Sequence, residues 1–210
     1  MKTDDLITLL VTSNAAATAG WERQRRLLPL LFLGAFGAMG LVFAATVGLR
    51  NDLGAAFVPV ARKEAVTLLA LVSGAVALWH LARPDVHRRR DWMVPAIATL
   101  AFVGWELSVS GSTAWRERMV GRNALVCLTM IPLLALPVLA ALLLALRRFA
   151  PANAAAAGAM AGVVSAGAAA SLYALHCTDD SALFVALWYG LATLMLAAAG
   201  AVAAQRLARW

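Results

Sequence analysis

The sequence predicts an all-α, polytopic integral membrane protein with six transmembrane helices and both termini in the cytoplasm. Hydrophobic residues make up 62% of the chain and charged residues 14%, against about 45–50% and about 25% in soluble domains. The apolar residues are gathered into six stretches, each near the roughly 20 residues that cross a hydrocarbon layer of about 30 Å. Because lipid offers the backbone no hydrogen-bond partner, these stretches are expected to be helices.

The six predicted spans are residues 28–49, 65–81, 92–110, 124–146, 154–175 and 182–204. They form one transmembrane domain, 28–204, between a cytoplasmic N-terminal segment, 1–27, and a short C-terminal tail, 205–210. Trp21, Trp92, Trp115 and Trp210 fall near the ends of these spans, where amphipathic rings anchor helices at membrane interfaces.

The predicted orientation comes from the basic residues, which favour the cytoplasmic side of bacterial inner-membrane proteins. With the N-terminus inside, the cytoplasm receives twelve of the 18 Lys and Arg residues. These are Lys2, Arg23, Arg25, Arg26, Arg83, Arg88, Arg89, Arg90, Arg147, Arg148, Arg206 and Arg209. The net charge of +7 therefore reflects topology and contact with the lipid bilayer, and direct nucleic-acid binding is not expected.

The two cysteines of the chain are predicted to lie on the external side. Cys127 begins the fourth span and Cys177 follows the fifth. Two thiols at one depth in an oxidising compartment can form a disulfide, bind a soft metal ion or react with an oxidant. The alternative is that each is only a small buried hydrophobic residue.

Polar neighbours extend this candidate site. His176 precedes Cys177, Asp179 and Asp180 follow it, and Glu106 lies in the outer part of the third span. Thiolate, imidazole and carboxylate groups together can hold zinc or cadmium, so the candidate metal ligands are Cys127, Cys177, His176 and Glu106. Asp179 can instead cap the sixth helix, and Glu106 can simply reach the interface.

Two spans have features suited to helix movement. Pro132 and Pro137 lie inside the fourth span, and each removes a backbone donor, so they are candidate hinges for transmitting a signal. The fifth span is rich in Ala and Gly and carries small residues at Gly158 and Gly162 and again at Gly167 and Ser171, which allow close helix packing. Both features are also common in ordinary membrane helices.

Three segments resemble the NrsF family of membrane anti-sigma factors, which are negative regulators of extracytoplasmic-function sigma factors. The segments are the opening MKTDDLITLL, CLTMIPLLALPVLAALLLALRRFAP from Cys127 to Pro151, and YALHCTDDSALFVALWYGLA from Tyr173 to Ala192. The resemblance runs essentially from end to end and is strongest around the cysteines.

This resemblance implies a regulator without catalytic activity or a permanent cofactor. A sigma factor would be held at the cytoplasmic face, and Cys127 and Cys177 would sense heavy metal, bound transiently, or oxidative stress. The implied sigma-binding residues lie in the N-terminal segment and are Asp4, Asp5, Leu6, Ile7, Leu9 and Leu10. The pattern is compatible with a short amphipathic helix capped by Thr3 that orders against a partner; a frayed tail is the alternative.

Two other classes of protein remain open from the sequence. An envelope thiol oxidoreductase would explain membrane cysteines, but such enzymes usually carry a CxxC motif, which this chain lacks. A small transporter would explain six helices and Glu106, although the spans show no paired intramembrane charges or broken-helix repeats.

Overall fold

The structure, a computed structural model, describes residues 30–82, 115–149 and 151–207, with scattered positions between 93 and 108. Its helices with described bounds are α1 (Leu30–Thr46), α2 (Phe57–Leu81), α3 (Trp115–Val120), α4 (Ala124–Phe149), α5 (Ala154–Ala174) and α6 (Ala182–Leu207). Every regular element in these ranges is helical, as predicted.

Four segments are long and apolar enough to cross a membrane: Phe57–Leu81, Arg116–Arg147, Ala154–Ala174 and Ala182–Leu207. Helix α1 is apolar but shorter. The third predicted span, 92–110, falls mostly outside the described residues, so six spans and their orientation stay predictions. Helix α2 begins at Phe57 rather than at residue 65, because Arg62 and Lys63, assigned to a loop from their charge, belong to its first two turns.

Helix α5 lies at the centre of the described bundle and contacts α2, α4 and α6. Its small residues explain how three helices can approach it. A side chain at Gly158 would meet the backbone of Gly200, and one at Gly162 would meet the backbone of Leu196, whereas Gly167 lies against the backbone of Leu71. The predicted small-residue faces therefore pack against two different partners, α6 and α2.

The outward faces of the helices are apolar as well as the core. Leu41, Leu125 and Leu194 are each about two-thirds or more exposed, at 73%, 74% and 68%. Large contiguous apolar surfaces are rare on soluble monomers. Lipid would cover these side chains. The apolar outer surface therefore agrees with the presence of four segments long and apolar enough to cross a membrane.

The directions of the helices bring several of their ends together. The carbonyl of Gly48, just after α1, faces the Nδ1 of His176 at 3.0 Å. The start of α2, the start of α4, the end of α5 and the start of α6 meet at the same end through the contacts described below. Both ends of the described chain, Leu30 and Leu207, consequently lie at the opposite end of the bundle.

Replacing Gly162 with alanine is expected to destabilise the bundle by about 1–3 kcal/mol, the usual range for overpacking a filled interface. The new methyl group would meet the carbonyl of Leu196, and this clash outweighs the gain in helix propensity of about 1 kcal/mol. Unfolding in detergent micelles measures the effect. Gly37→Ala is the matched control, since nothing lies within 4 Å of its new methyl group; equal stability of the two variants would contradict the packing described.

Candidate functional site: a buried pair of thiols

The two cysteines meet in the interior of the bundle. Cys127 lies in the first turn of α4, and Cys177 lies in the segment between α5 and α6. Their sulfur atoms are 3.9 Å apart, and both residues are fully buried and unbonded to each other. A disulfide requires about 2.05 Å between sulfurs, so the two sulfurs are in contact without a disulfide, close enough for one ion or one oxidation step to join them.

The segment after Cys177 is tied to the start of α4. The carboxylate of Asp179 accepts hydrogen bonds from the backbone N–H of Asn123 at 2.8 Å and of Arg122 at 3.2 Å. Asn123 in turn donates its side-chain N–H to the hydroxyl of Thr178 at 3.2 Å. Asp179 therefore caps α4 rather than α6, whose N-cap position is Ser181. The alternative that Asp179 caps the sixth helix was therefore wrong, because Asp179 caps α4 instead.

A buried ion cluster holds the other side of the segment. The ammonium of Lys63, whose side chain is 2% exposed, lies 2.6 Å from the carboxylate of Asp180 and donates to the carbonyl of Cys177 at 2.6 Å. Arg50 reaches the same carbonyl at 3.1 Å and the same carboxylate at 3.1 Å. These contacts connect Cys177 to α2 and to the loop between α1 and α2, so the cluster couples the thiol pair to the rest of the bundle.

Sequence analysis missed this cluster, because it placed Lys63 in the loop before the second span. Lys63 lies in α2, a helix long enough to cross a membrane, and it is paired with Asp180. The sequence could have indicated the buried lysine, because a long Lys side chain near the end of an apolar helix can extend its charged group toward a polar region. No spacing in the sequence connects residues this far apart.

Arg50 is held in place by a second carboxylate. Its guanidinium makes a bidentate ion pair with Asp52, with distances of 2.6 Å and 2.8 Å. This hydrogen-bonded pair lowers the pKa of Asp52 below its ordinary value. The Arg50 backbone N–H also donates to the carbonyl of Leu175 at 3.1 Å, so the loop before α2 is fixed against the end of α5 and the cysteine segment.

The electrostatic surroundings of Cys177 favour its thiolate. Its pKa is lowered, chiefly by the hydrogen bond that it shares with the thiol of Cys127 and further by a hydrogen bond with the backbone of Asp179 and the nearby charge of Lys63, whereas burial acts in the opposite direction. Thiolates are the form that binds soft metals and reacts with oxidants. The surroundings of Cys177 therefore suit this chemistry.

Two tyrosines line the thiol pair. Tyr173 of α5 and Tyr189 of α6 are 0% and 4% exposed, and their ring centroids are 6.2 Å apart. Tyr189 ends the π-helical turn Val185–Tyr189, a local widening of a helix that often occurs at functional sites. Sequence analysis did not single out either tyrosine, because an aromatic residue in an apolar span indicates nothing by itself.

The other predicted ligands are His176 and Glu106. His176 uses Nδ1 for the carbonyl of Gly48, and Glu106 lies outside the described residues. Within the described ranges, no group of three or more His, Cys, Asp or Glu side chains is arranged to hold a metal ion. Among the described residues, the structure thus brings together two sulfur atoms as candidate ligands.

The structure describes the candidate hinges but not the residues predicted to bind a sigma factor. Pro132 and Pro137 lie inside the continuous helix α4, where the carbonyls one turn earlier lose their usual donor. The residues predicted to bind a sigma factor, Asp4, Asp5, Leu6, Ile7, Leu9 and Leu10, lie outside the described residues. They precede α1, which begins at the end of the bundle opposite to the thiols.

The family model and the similar proteins that match this chain all point to the same family. Residues 11–210 match the family model described as NrsF, negative regulator of sigma F. The chain is 34% identical over 216 residues to the anti-sigma-F factor NrsF of Caulobacter vibrioides and 33% identical over 218 residues to the probable anti-sigma-F factor NrsF of Azospira oryzae. Each alignment covers 100% of both chains. No solved structure matches.

Proposed function

The chain belongs to the NrsF family of negative regulators of sigma F, and on this basis we propose a membrane-bound anti-sigma factor controlled by its thiol pair. It holds an extracytoplasmic-function sigma factor at the cytoplasmic face of the bacterial inner membrane. It releases that factor when Cys127 and Cys177, on the external side, bind a heavy-metal ion or are oxidised. The observation that carries the sensing part is the contact between the two sulfurs at 3.9 Å.

The arrangement of the helices supports a separation between sensing and binding. The thiols lie at one end of the bundle, and α1, which follows the N-terminal segment, begins at the other. With the basic residues placed inside, as the charge distribution favours, the thiol end faces the envelope. The N-terminal segment then faces the compartment in which sigma factors are found.

A route between the two ends follows from the contacts of the thiol segment. Cys177 is connected to α2 through Lys63, and Cys127 belongs to α4, the helix that contains Pro132 and Pro137. A ligand that draws the two sulfurs together favours whichever packing of α2 and α4 best accommodates it. Moving such an equilibrium from 1:99 to 99:1 needs a difference in binding of about 5.5 kcal/mol, which thiolate–metal bonds are strong enough to supply.

The structure bears on the competing idea of a thiol oxidoreductase. The fold produces a dithiol without a CxxC motif, which answers the main objection to such an enzyme. Thiol–disulfide exchange, however, needs a sulfur that a partner disulfide can reach. Cys127 and Cys177 are both fully buried, and this favours a small ligand or oxidant over a protein partner. Quinone reduction by the purified protein would support the enzyme instead.

The sigma-binding assignment is tested by replacing Asp4, Asp5, Leu6, Ile7, Leu9 and Leu10 with alanine. We expect the sigma factor that co-purifies with the full-length chain from membranes to disappear from the preparation, because the apolar face and its acidic first turn supply the contact. The proteins retained are identified by mass spectrometry. Removal of residues 208–210 is the matched control at the other terminus and should leave the partner bound. Undiminished recovery with the alanine variant would contradict the N-terminal assignment.

A further inference from the structure

All the cysteines and all the tyrosines of the chain meet at one place. The sequence contains two of each. Tyr173 lies one helical turn before Cys177, whose backbone N–H donates to the Tyr173 carbonyl at 3.0 Å. Tyr189 approaches from α6. Tyr173 and Cys127, like Tyr189 and Cys177, are close enough for each side chain to influence the other electrostatically.

Neither phenol is satisfied in this state. The hydroxyl oxygens of Tyr173 and Tyr189 are buried side-chain polar atoms without a hydrogen-bond partner. Leaving such a group unpaired costs stability, and phenylalanine would fill the same space without that cost. Two unpaired hydroxyls close to the sulfurs would gain partners in any state in which the sulfurs become strong acceptors.

Metal binding to the two thiols would create such acceptors. A thiol sulfur is a weak acceptor, but when a divalent ion binds, each thiol gives up its proton and becomes a thiolate. Two thiolates and one divalent cation form a neutral unit, and two protons leave for solvent. Hydrogen bonds to an ionised acceptor are about twice as strong as those between neutral groups, so the negative charge drawn onto the sulfurs gives each hydroxyl a strong partner.

We propose that Tyr173 and Tyr189 are positioning residues of a soft-metal site, donating hydrogen bonds to the sulfurs of Cys127 and Cys177 when those sulfurs bind a soft divalent cation. This deepens the proposed function and depends on it. Groups that hydrogen-bond to metal ligands orient them and tune the bond, and their loss typically weakens binding 10- to 100-fold. Hard cations such as Mg²⁺ prefer oxygen ligands, so the pair of thiolates with phenol donors selects against them.

The test measures Cd²⁺ binding to the full-length protein in detergent by calorimetry and by the sulfur-to-cadmium charge-transfer absorption. Tyr173→Phe and Tyr189→Phe are each expected to weaken binding by about tenfold or more. The absorption band should keep its intensity, because both sulfurs still bind, but move to lower energy as each sulfur loses a hydrogen bond. Without metal, both variants should melt at the same or a higher temperature than the wild type, which a purely structural role would not produce.

The matched control removes a buried hydroxyl from α5 away from the sulfurs. This is Ser165→Ala, which loses a bond to the carbonyl of Gly162. It should bind Cd²⁺ as the wild type does.

Three results would overturn the proposal: wild-type affinity in both tyrosine variants, a lower melting temperature of the metal-free variants, or tyrosinate absorption on adding Cd²⁺, which would make the phenols ligands. A different result would show that the proposed function itself fails: Cys127→Ser and Cys177→Ser would bind Cd²⁺ as tightly as the wild type.

Discussion

Replacing either Cys127 or Cys177 with serine is expected to abolish induction of the sigma-dependent genes while leaving their repression intact. Serine is nearly isosteric with cysteine, so the fully buried pair keeps its packing. Its hydroxyl is neither a soft ligand nor readily oxidised, and a single remaining thiol cannot bridge an ion with its partner. A transcriptional reporter measured with and without Cd²⁺ gives the result.

The magnitude of this effect follows from the two-state argument. If the ligand supplies the difference of about 5.5 kcal/mol that drives a full shift, loss of one sulfur removes most of it, and the repressed state persists at any tolerated concentration of metal. Ser165→Ala is a suitable control, since it changes a buried residue of α5 away from the thiols. Normal induction in both single cysteine variants would show that the thiol pair is not the sensor.

The fold was largely predictable because its main signal is local. Long apolar runs bounded by polar residues placed α4, α5 and α6 within a few residues of their observed ends. The same signal misplaced the start of α2, because Arg62 and Lys63 were assigned to a loop from their charge. Hydropathy does not show that a charged residue in a helix has a partner elsewhere in the chain. Lys63 is buried only because Asp180, far away in sequence, meets it.

The candidate site was predictable in part, for a related reason. Alternation of the spans required the two cysteines to lie at the same end, and the structure brings their sulfurs into contact. Which polar groups surround them depends on the rotation of each helix about its axis, and hydropathy alone does not set that rotation in helices as uniformly apolar as α5. Tyr173 and Tyr189 were missed for this reason, and His176 was expected near the sulfurs but contacts Gly48.

Replacing Asp180 with asparagine is expected to destabilise the bundle by about 3–5 kcal/mol, the cost of leaving one member of a buried ion pair without its partner. The ammonium of Lys63, whose side chain is only 2% exposed, would lose its carboxylate partner and retain the carbonyl of Cys177 as an acceptor. Unfolding of the purified protein in detergent measures the loss.

Asp52→Asn provides the comparison, because Asp52 binds the same Arg50 but its side chain is 56% exposed. Water can replace that partner, so a much smaller loss of stability is expected. Adding Lys63→Met to Asp180→Asn removes the stranded charge and should recover most of the stability, as replacement of buried ion pairs by apolar groups often does. If Asp180→Asn were no less stable than Asp52→Asn, the ion cluster could not be what holds the Cys177 segment against α2, and coupling from the thiols would have to run through α4 alone.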